Sequence, residues 1–195
     1  MPTVGVLALQ GDYEAHAGAL RRAGAGVVEV RTADELQRIG ALVIPGGEST
    51  SMLKLMDYYG LFEPLRQFGL RKPVFGTCAG AILLAKEVLN PSQPSLDLLD
   101  MAVERNAYGR QLDSRVVSLS GHSLGDGDLE AVFIRAPIIR RVGQGGEVLA
   151  SYLGDPVLVQ FGRHLVATFH PELSSDNRVH ARFLAKIGNG SNGAK

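Results

Sequence analysis

Short apolar runs alternate with stretches of helical period through the first half of the chain. Residues 4–9 (VGVLAL) form a first run, closed by Gln10 and Gly11. Asp12 then stands where a helix cap belongs, with Tyr13, Ala17 and Leu20 recurring at helical spacing. Gly24 and Gly26 stop that helix, and 27–30 supply a second strand. Thr32 and Glu35 have capping-box spacing for a short helix over 32–38. A third strand at 41–44 ends in Pro45-Gly46-Gly47, followed by helices over 49–59 and 61–68, a fourth strand at 73–75, and a short helix carrying Ile82, Leu83 and Leu84.

Strands separated by helices predict a mostly parallel sheet covered on both faces, an α/β fold. The unbroken apolar stretch Leu42-Val43-Ile44 fits a strand buried on both sides. From about Val103 the pattern changes to strands without helices between them, at 116–119, 129–134, 148–153, 156–160 and 165–168. This predicts antiparallel additions to the sheet or a small side layer. A last helix is expected over 177–187, before a polar, glycine-rich tail, GNGSNGAK, that cannot bury enough apolar surface to order. The proline-bearing segment 90–97 (NPSQPSLD) reads as a surface excursion.

Composition narrows the function classes. With 195 residues, 45% of them hydrophobic, the chain suits one globular domain. Twenty basic and twenty acidic residues cancel, giving no electrostatic reason to expect nucleic acid or an anionic membrane surface. No apolar run approaches the ~20 residues of a membrane span, and the N-terminus lacks the layout of a signal peptide. Cys78 is the sole cysteine, so neither a disulfide within the chain nor a thiolate metal cluster is available, and a cytoplasmic setting is expected. The five histidines lack metal-ligand spacing, so no metal site or cofactor is expected.

The chemistry begins at Gly76-Thr77-Cys78-Ala79-Gly80. A nucleophile between glycines, after an apolar strand and before a helix, is an elbow arrangement. The helix N-terminus favours the reactive thiolate, and the Ala79 N–H points where an oxyanion would form. In Phe169-His170-Pro171-Glu172, an extended path would project His170 and Glu172 to one side, letting Glu172 hold one ring nitrogen while the other faces Cys78. His16, His122, His164 and His180 are rival bases, but none has an acid two positions away at a strand end. The third element, Pro45-Gly46-Gly47-Glu48-Ser49-Thr50, lets backbone approach a ligand, and the Gly47 N–H would complete an oxyanion hole with Ala79. A phosphate cradle is disfavoured: the G-x-x-x-x-G-K-[ST] pattern is missing and Glu48 repels anions.

PGGES, GTCAG and FHPEL, in that order, resemble the triad (class I) glutamine amidotransferases. The segments LALQGDYEAH, VERNAYGRQ and FIRAP are similar to one branch, the glutaminase subunits of pyridoxal 5′-phosphate synthase. The resemblance implies a flavodoxin-like three-layer fold, a glutaminase domain over 1–187 with a disordered tail at 188–195, and glutamine hydrolysis through a cysteine thioester by Cys78, His170 and Glu172. It further implies a glutamine site at Gly47, Glu48, Ser49, Arg105, Ile134 and Arg135. The partner it implies is a (β/α)8-barrel synthase subunit that consumes the ammonia, and Gln10 and Gly11 are the expected contact with it. Pyridoxal phosphate is then the product of the complex, with no cofactor bound to this chain. Rival readings are the glutaminase of imidazole glycerol phosphate synthase, a stand-alone hydrolase on the same fold, and a non-catalytic binding module.

Overall fold

Alternate residues of single strands are buried on opposite faces of one sheet. Leu42 and Ile44 join one apolar cluster while Ala41 and Val43 join another, as the two-residue period of a strand requires when both faces are covered. The computed structural model describes residues 1–106 and 114–187. In it, β1 (Thr3–Leu7), α1 (Tyr13–Arg22), β2 (Gly26–Val30), β3 (Ala41–Ile44), α2 (Ser49–Tyr58), α3 (Phe62–Arg71), β4 (Val74–Thr77) and α4 (Ala79–Leu84) follow in order. The second part carries β5 (Ala85–Leu89), β6 (Leu99–Glu104), β7 (Ser114–Leu119), β8 (Leu129–Ile134), β9 (Ile138–Val142), β10 (Gly146–Tyr152), β11 (Asp155–Phe161), β12 (His164–Ala167) and α5 (Arg178–Ile187).

Seven strands form the central sheet in the order β10-β11-β12-β4-β3-β1-β2. The pairs β1/β2, β1/β3, β3/β4 and β4/β12 are parallel, whereas β10/β11 and β11/β12 are antiparallel. Residues of α2, α3 and α4 pack on one face, around Met52, Met56, Leu65 and Leu83. Residues of α1 and α5 pack on the other, around Leu20, Val179 and Phe183. Helix–sheet–helix layering therefore follows from strands apolar on both faces and helices apolar on one. Two side sheets, β5-β6-β9 and β7-β8, complete the second half, so both expected forms of antiparallel addition occur.

Several expectations need correction. The strand-only region begins at Ala85 instead of Val103; β5 was missed because the exposed Lys86 and Glu87 break its apolar run. Strand β9 was missed too, since Arg140 and Arg141 mask it. The helix expected over 32–38 is a 3-10 turn at Asp34–Arg38. Glu35 still receives the Thr32 N–H at 2.9 Å, as a capping box would have it. Asp12 makes no side-chain cap bond. The 90–97 excursion is tied down: Leu96 is fully buried and its N–H donates to Leu83 O at 2.7 Å. The expected tail, 188–195, lies outside the described residues, as does the 107–111 part of VERNAYGRQ. No helix of the described residues is long and apolar enough to cross a membrane.

Candidate active site

The loops after β1, β3, β4 and β12 meet at the C-terminal ends of parallel strands, where an open α/β sheet presents its ligand crevice. Cys78 sits directly between β4 and α4 at φ 49°, ψ −105°. A non-glycine residue held at positive φ is strained, and the surroundings fix it. Its N–H donates to Ala167 O of β12 at 2.9 Å. The flanking glycines are required by contact: a Cβ on Gly80 would lie 2.1 Å from the Ile44 carbonyl oxygen. The elbow is thus built by the close approach of α4 to the end of β3.

His170 follows β12, its own N–H donating to Val132 O of β8 at 2.8 Å. Its Nδ1 lies 2.6 Å from Glu172 Oε1, and both side chains are buried. The segment between them is not extended, as the sequence reading expected. Pro171–Leu173 is a 3-10 turn, with Pro171 at its first position. The turn curls the carboxylate back onto the ring, so a tight turn achieves the geometry that strand alternation was expected to give. Nδ1 being taken, Nε2 is the nitrogen left for Cys78, whose sulfur favours the charged ring. Burial opposes charge on His170, but hydrogen bonds and charge from Cys78 and Glu172 outweigh it and raise its pKa to about 10. The Cys78 thiol also faces Ile134 O, 3.8 Å away.

Cys78 and His170 open onto a cavity of about 560 Å³, which also takes in Gln10, Gly11, Gly47, Glu48, Ser49, Ala79, Arg105, Ile134 and Arg135. Every expected site residue except Glu172 lines it; Glu172 stands behind His170. Gln10 Oε1 accepts the Glu48 N–H at 3.0 Å, so the loop after β1 braces the turn after β3. The Glu48 carboxylate accepts from Thr50 and Ser51 at 2.9 and 3.0 Å. Those two bonds, with smaller help from Lys54 and Arg105, keep its pKa below the usual range. Ser49 is buried and donates to Gln93 Oε1 at 3.2 Å. Arg135 follows β8 at φ 42°, a second strained residue beside the thiol.

Sequence reasoning passed over Gly46, although it lies within PGGES. A Cβ there would fall 2.5 Å from His170 Cε1, so only glycine leaves the ring its place. It set His16 and His180 aside as rival bases and gave Thr77 no role; all three are fully buried beneath Glu172. His16 Nε2 lies 3.2 Å from Glu172 Oε2 and 3.0 Å from Thr77 Oγ1. Asp12, His170 and Glu172 present donor atoms within 4.8 Å of one another, but a metal there would have to part His170 from Glu172. A thiol, an imidazole holding a carboxylate behind it, and a cavity with charged side chains on its wall suit acyl transfer.

Residues 6–189 match the SNO glutamine amidotransferase family. The chain belongs to that family. Pyridoxal 5′-phosphate synthase subunit PdxT of Solibacter usitatus is 59% identical over 192 residues, 96% of this chain and all of that one. PdxT of Thermus thermophilus is 52% identical over 189 residues, covering 95% and 97% of the two chains. A solved glutamine amidotransferase superposes with TM-score 0.86 at 47% identity, over 95% of this chain and 98% of the other. A chain of the PurLQS structure from Thermotoga maritima shares the fold at TM-score 0.65 and 15% identity, over 95% and 99%. The family membership and the α/β architecture read from the sequence therefore stand.

Proposed function

We propose that this amidotransferase hydrolyses L-glutamine to L-glutamate and ammonia on Cys78, delivering the ammonia to the synthase subunit that makes pyridoxal 5′-phosphate. The observation that carries the chemistry is the His170 ring, bonded to buried Glu172 at 2.6 Å and standing with Cys78 at the mouth of the cavity. The pathway rests on the PdxT relatives, which are subunits of pyridoxal 5′-phosphate synthase.

Glutamine enters with its carboxamide toward Cys78. Arg105 and Arg135 on the cavity wall suit its α-carboxylate, and Glu48 suits its α-ammonium. Cys78 Sγ attacks the carboxamide carbon with the proton already held on His170 Nε2. The oxyanion is held by the N–H groups of Ala79 and Gly47. The imidazolium returns the proton to the departing nitrogen, which leaves as ammonia, and the γ-glutamyl thioester remains. Water then attacks, losing a proton to His170, and glutamate departs as Cys78 Sγ is released beside the protonated ring. Glu172 fixes the ring and stabilises its charge throughout.

Free ammonia is protonated and lost near neutral pH, which is the physical reason for coupling to a synthase. The reading takes that partner to be a (β/α)8-barrel subunit in a hetero-oligomer, contacted through Gln10 and Gly11, with the pair working in the cytoplasm. Gln10 already braces the expected oxyanion turn, so docking there reaches the catalytic backbone. Gln10→Ala is expected to lower stimulation of glutamate release by the synthase subunit. Unchanged stimulation and complex formation would remove Gln10 from the contact.

A further inference from the structure

Two histidines that the hydrolytic steps above do not use lie end to end behind the triad. His16, on α1, and His180, on α5, are separated by 164 residues, yet His16 Nδ1 lies 3.0 Å from His180 Nε2. Both rings are fully buried. His16 Nε2 points the other way, 3.0 Å from Thr77 Oγ1 and 3.2 Å from Glu172 Oε2. Thr77 is the residue before the nucleophile. The pair therefore reaches the back of the elbow and the back of the triad acid together.

The proton positions follow from the partners. Burial, and then the neighbouring charges of His180 and His170, push the His16 pKa well below its ordinary value. Burial, and then Arg22, bring His180 down to about 4. Each ring is thus neutral with a single N–H. If His16 carried its proton on Nδ1, a bare Nε2 lone pair would face a carboxylate oxygen at 3.2 Å, two acceptors repelling each other in a dry interior. The proton therefore sits on Nε2, hydrogen-bonded to Thr77 Oγ1 with Glu172 Oε2 3.2 Å away, and Nδ1 accepts from His180 Nε2–H. His180 Nδ1 is then a bare lone pair, and among the described residues nothing donates to it. This orientation pairs both nitrogens of His16 and brings an N–H within 3.2 Å of the acid.

Among the described residues no donor is aligned on Oε2 for a full hydrogen bond, so His16 Nε2–H at 3.2 Å is the polar group the fold brings to it. A buried carboxylate with one oxygen committed to His170 and the other bare would be costly to keep charged. We propose that His16 and His180 are positioning residues for the amidotransferase reaction, a buried chain His180–His16–Glu172–His170 that holds the Glu172 carboxylate charged and oriented toward His170. His180 sets the tautomer of His16, His16 donates to Glu172, and Glu172 in turn holds the imidazole that serves Cys78. This rests on the glutaminase reading for its rate consequence but not for its geometry.

Amide substitutions separate the donor from the volume it fills. The side-chain nitrogen of glutamine reaches about as far as His Nε2; that of asparagine reaches only as far as Nδ1. His16→Gln should keep the donor at Glu172, and His16→Asn should lose it, with His16→Leu as the apolar comparison. Two rates are read on folded protein: alkylation of Cys78, the sole cysteine, by iodoacetamide, and glutamate release from glutamine with the synthase subunit present. The expected result is that Asn and Leu lower both about tenfold or more, at unchanged KM for glutamine, while Gln stays within about threefold of the parent. Equal rates for Gln and Asn would overturn the proposal, as would a parental rate in either Asn or Leu. If Leu fails to fold, the Gln and Asn pair decides alone. If the parent releases no glutamate, the glutaminase reading fails, while the alkylation rates still decide the relay.

Discussion

The two sides of the His170 ring lie in different media. In front, Cys78 and the loops after β1, β3 and β8 border an open cavity of about 560 Å³. Behind, Glu172, Thr77, His16 and His180 are sealed between α1, α5 and the sheet. The front is made of backbone brought close by glycines and of side chains with room to meet a ligand. The back is made of groups that must satisfy one another, because water does not reach them. The same imidazole joins both, and its pKa of about 10 records the sum: burial lowers it, while Cys78 in front and Glu172 behind raise it further. The difference teaches that the front decides what binds, while the charge on the ring is set from both sides, by Cys78 first and then by Glu172.

The sharpest break removes the carboxylate from the back. Glu172→Gln leaves the shape and takes away the charge, and kcat is expected to fall by about 10²–10⁴ with little change in KM, as for other triads. A second readout is the pH profile of kcat/KM. A raised His170 pKa keeps the imidazolium through neutrality and loses it only near pH 10. Without Glu172 the alkaline limb should move toward lower pH. An unmoved limb would detach the charge of His170 from the buried acid.

Gly46→Ala attacks the boundary between the two sides. Its Cβ would meet His170 Cε1 at 2.5 Å, so the ring must yield while the sheet does not. Activity is expected to drop by about 10²-fold with a small change in melting temperature, consistent with the cost of misplacing a reacting group by about 1 Å. A still smaller effect belongs to the cavity wall. Arg105→Ala or Arg135→Ala should raise KM for glutamine about tenfold and leave kcat nearly unchanged. A change in kcat alone would mean that these arginines do not bind ground-state substrate.

The gentlest test is the stability of the fold as pH falls, set by His16 and His180 behind the ring and by His164 at the start of β12. His180 is lowered to about 4 by burial and Arg22, His164 to about 4 by burial and Arg163, and His16 is lowered well below 6.5. The unfolded chain therefore takes up protons first, below about pH 6.5, and the folded chain follows only near pH 4. Stability is expected to decline across that window. Denaturant midpoints measured from about pH 7 to about pH 4 check this. A flat profile would show that these rings charge equally in both states.

What the sequence disclosed maps onto the same division. The front was legible because its requirements are local: glycines at a strand end, a cysteine at a helix start, an apolar run before each. The alternation of VGVLAL and ALVI with helical segments gave the parallel sheet for similar reasons. Glu172 was found by its two-residue spacing from His170, though the 3-10 turn that delivers it was taken for extended chain. His16 and His180 left no such trace. They meet only because α1 and α5 pack side by side on one face of the sheet, a contact between distant segments that no local spacing encodes. Strands β5 and β9 escaped for a related reason: they pair only within a small side sheet, so exposed charges interrupt their apolar pattern.

The most direct measurement is glutamate release from L-glutamine by this protein, alone and with a pyridoxal 5′-phosphate synthase subunit from the same source, with Cys78→Ala as the blank. The expected result is hydrolysis that the synthase subunit strongly stimulates and that the blank lacks, a loss of at least about 10⁴-fold. Absence of glutamate in both conditions from well-folded protein, or hydrolysis that survives Cys78→Ala, would contradict it.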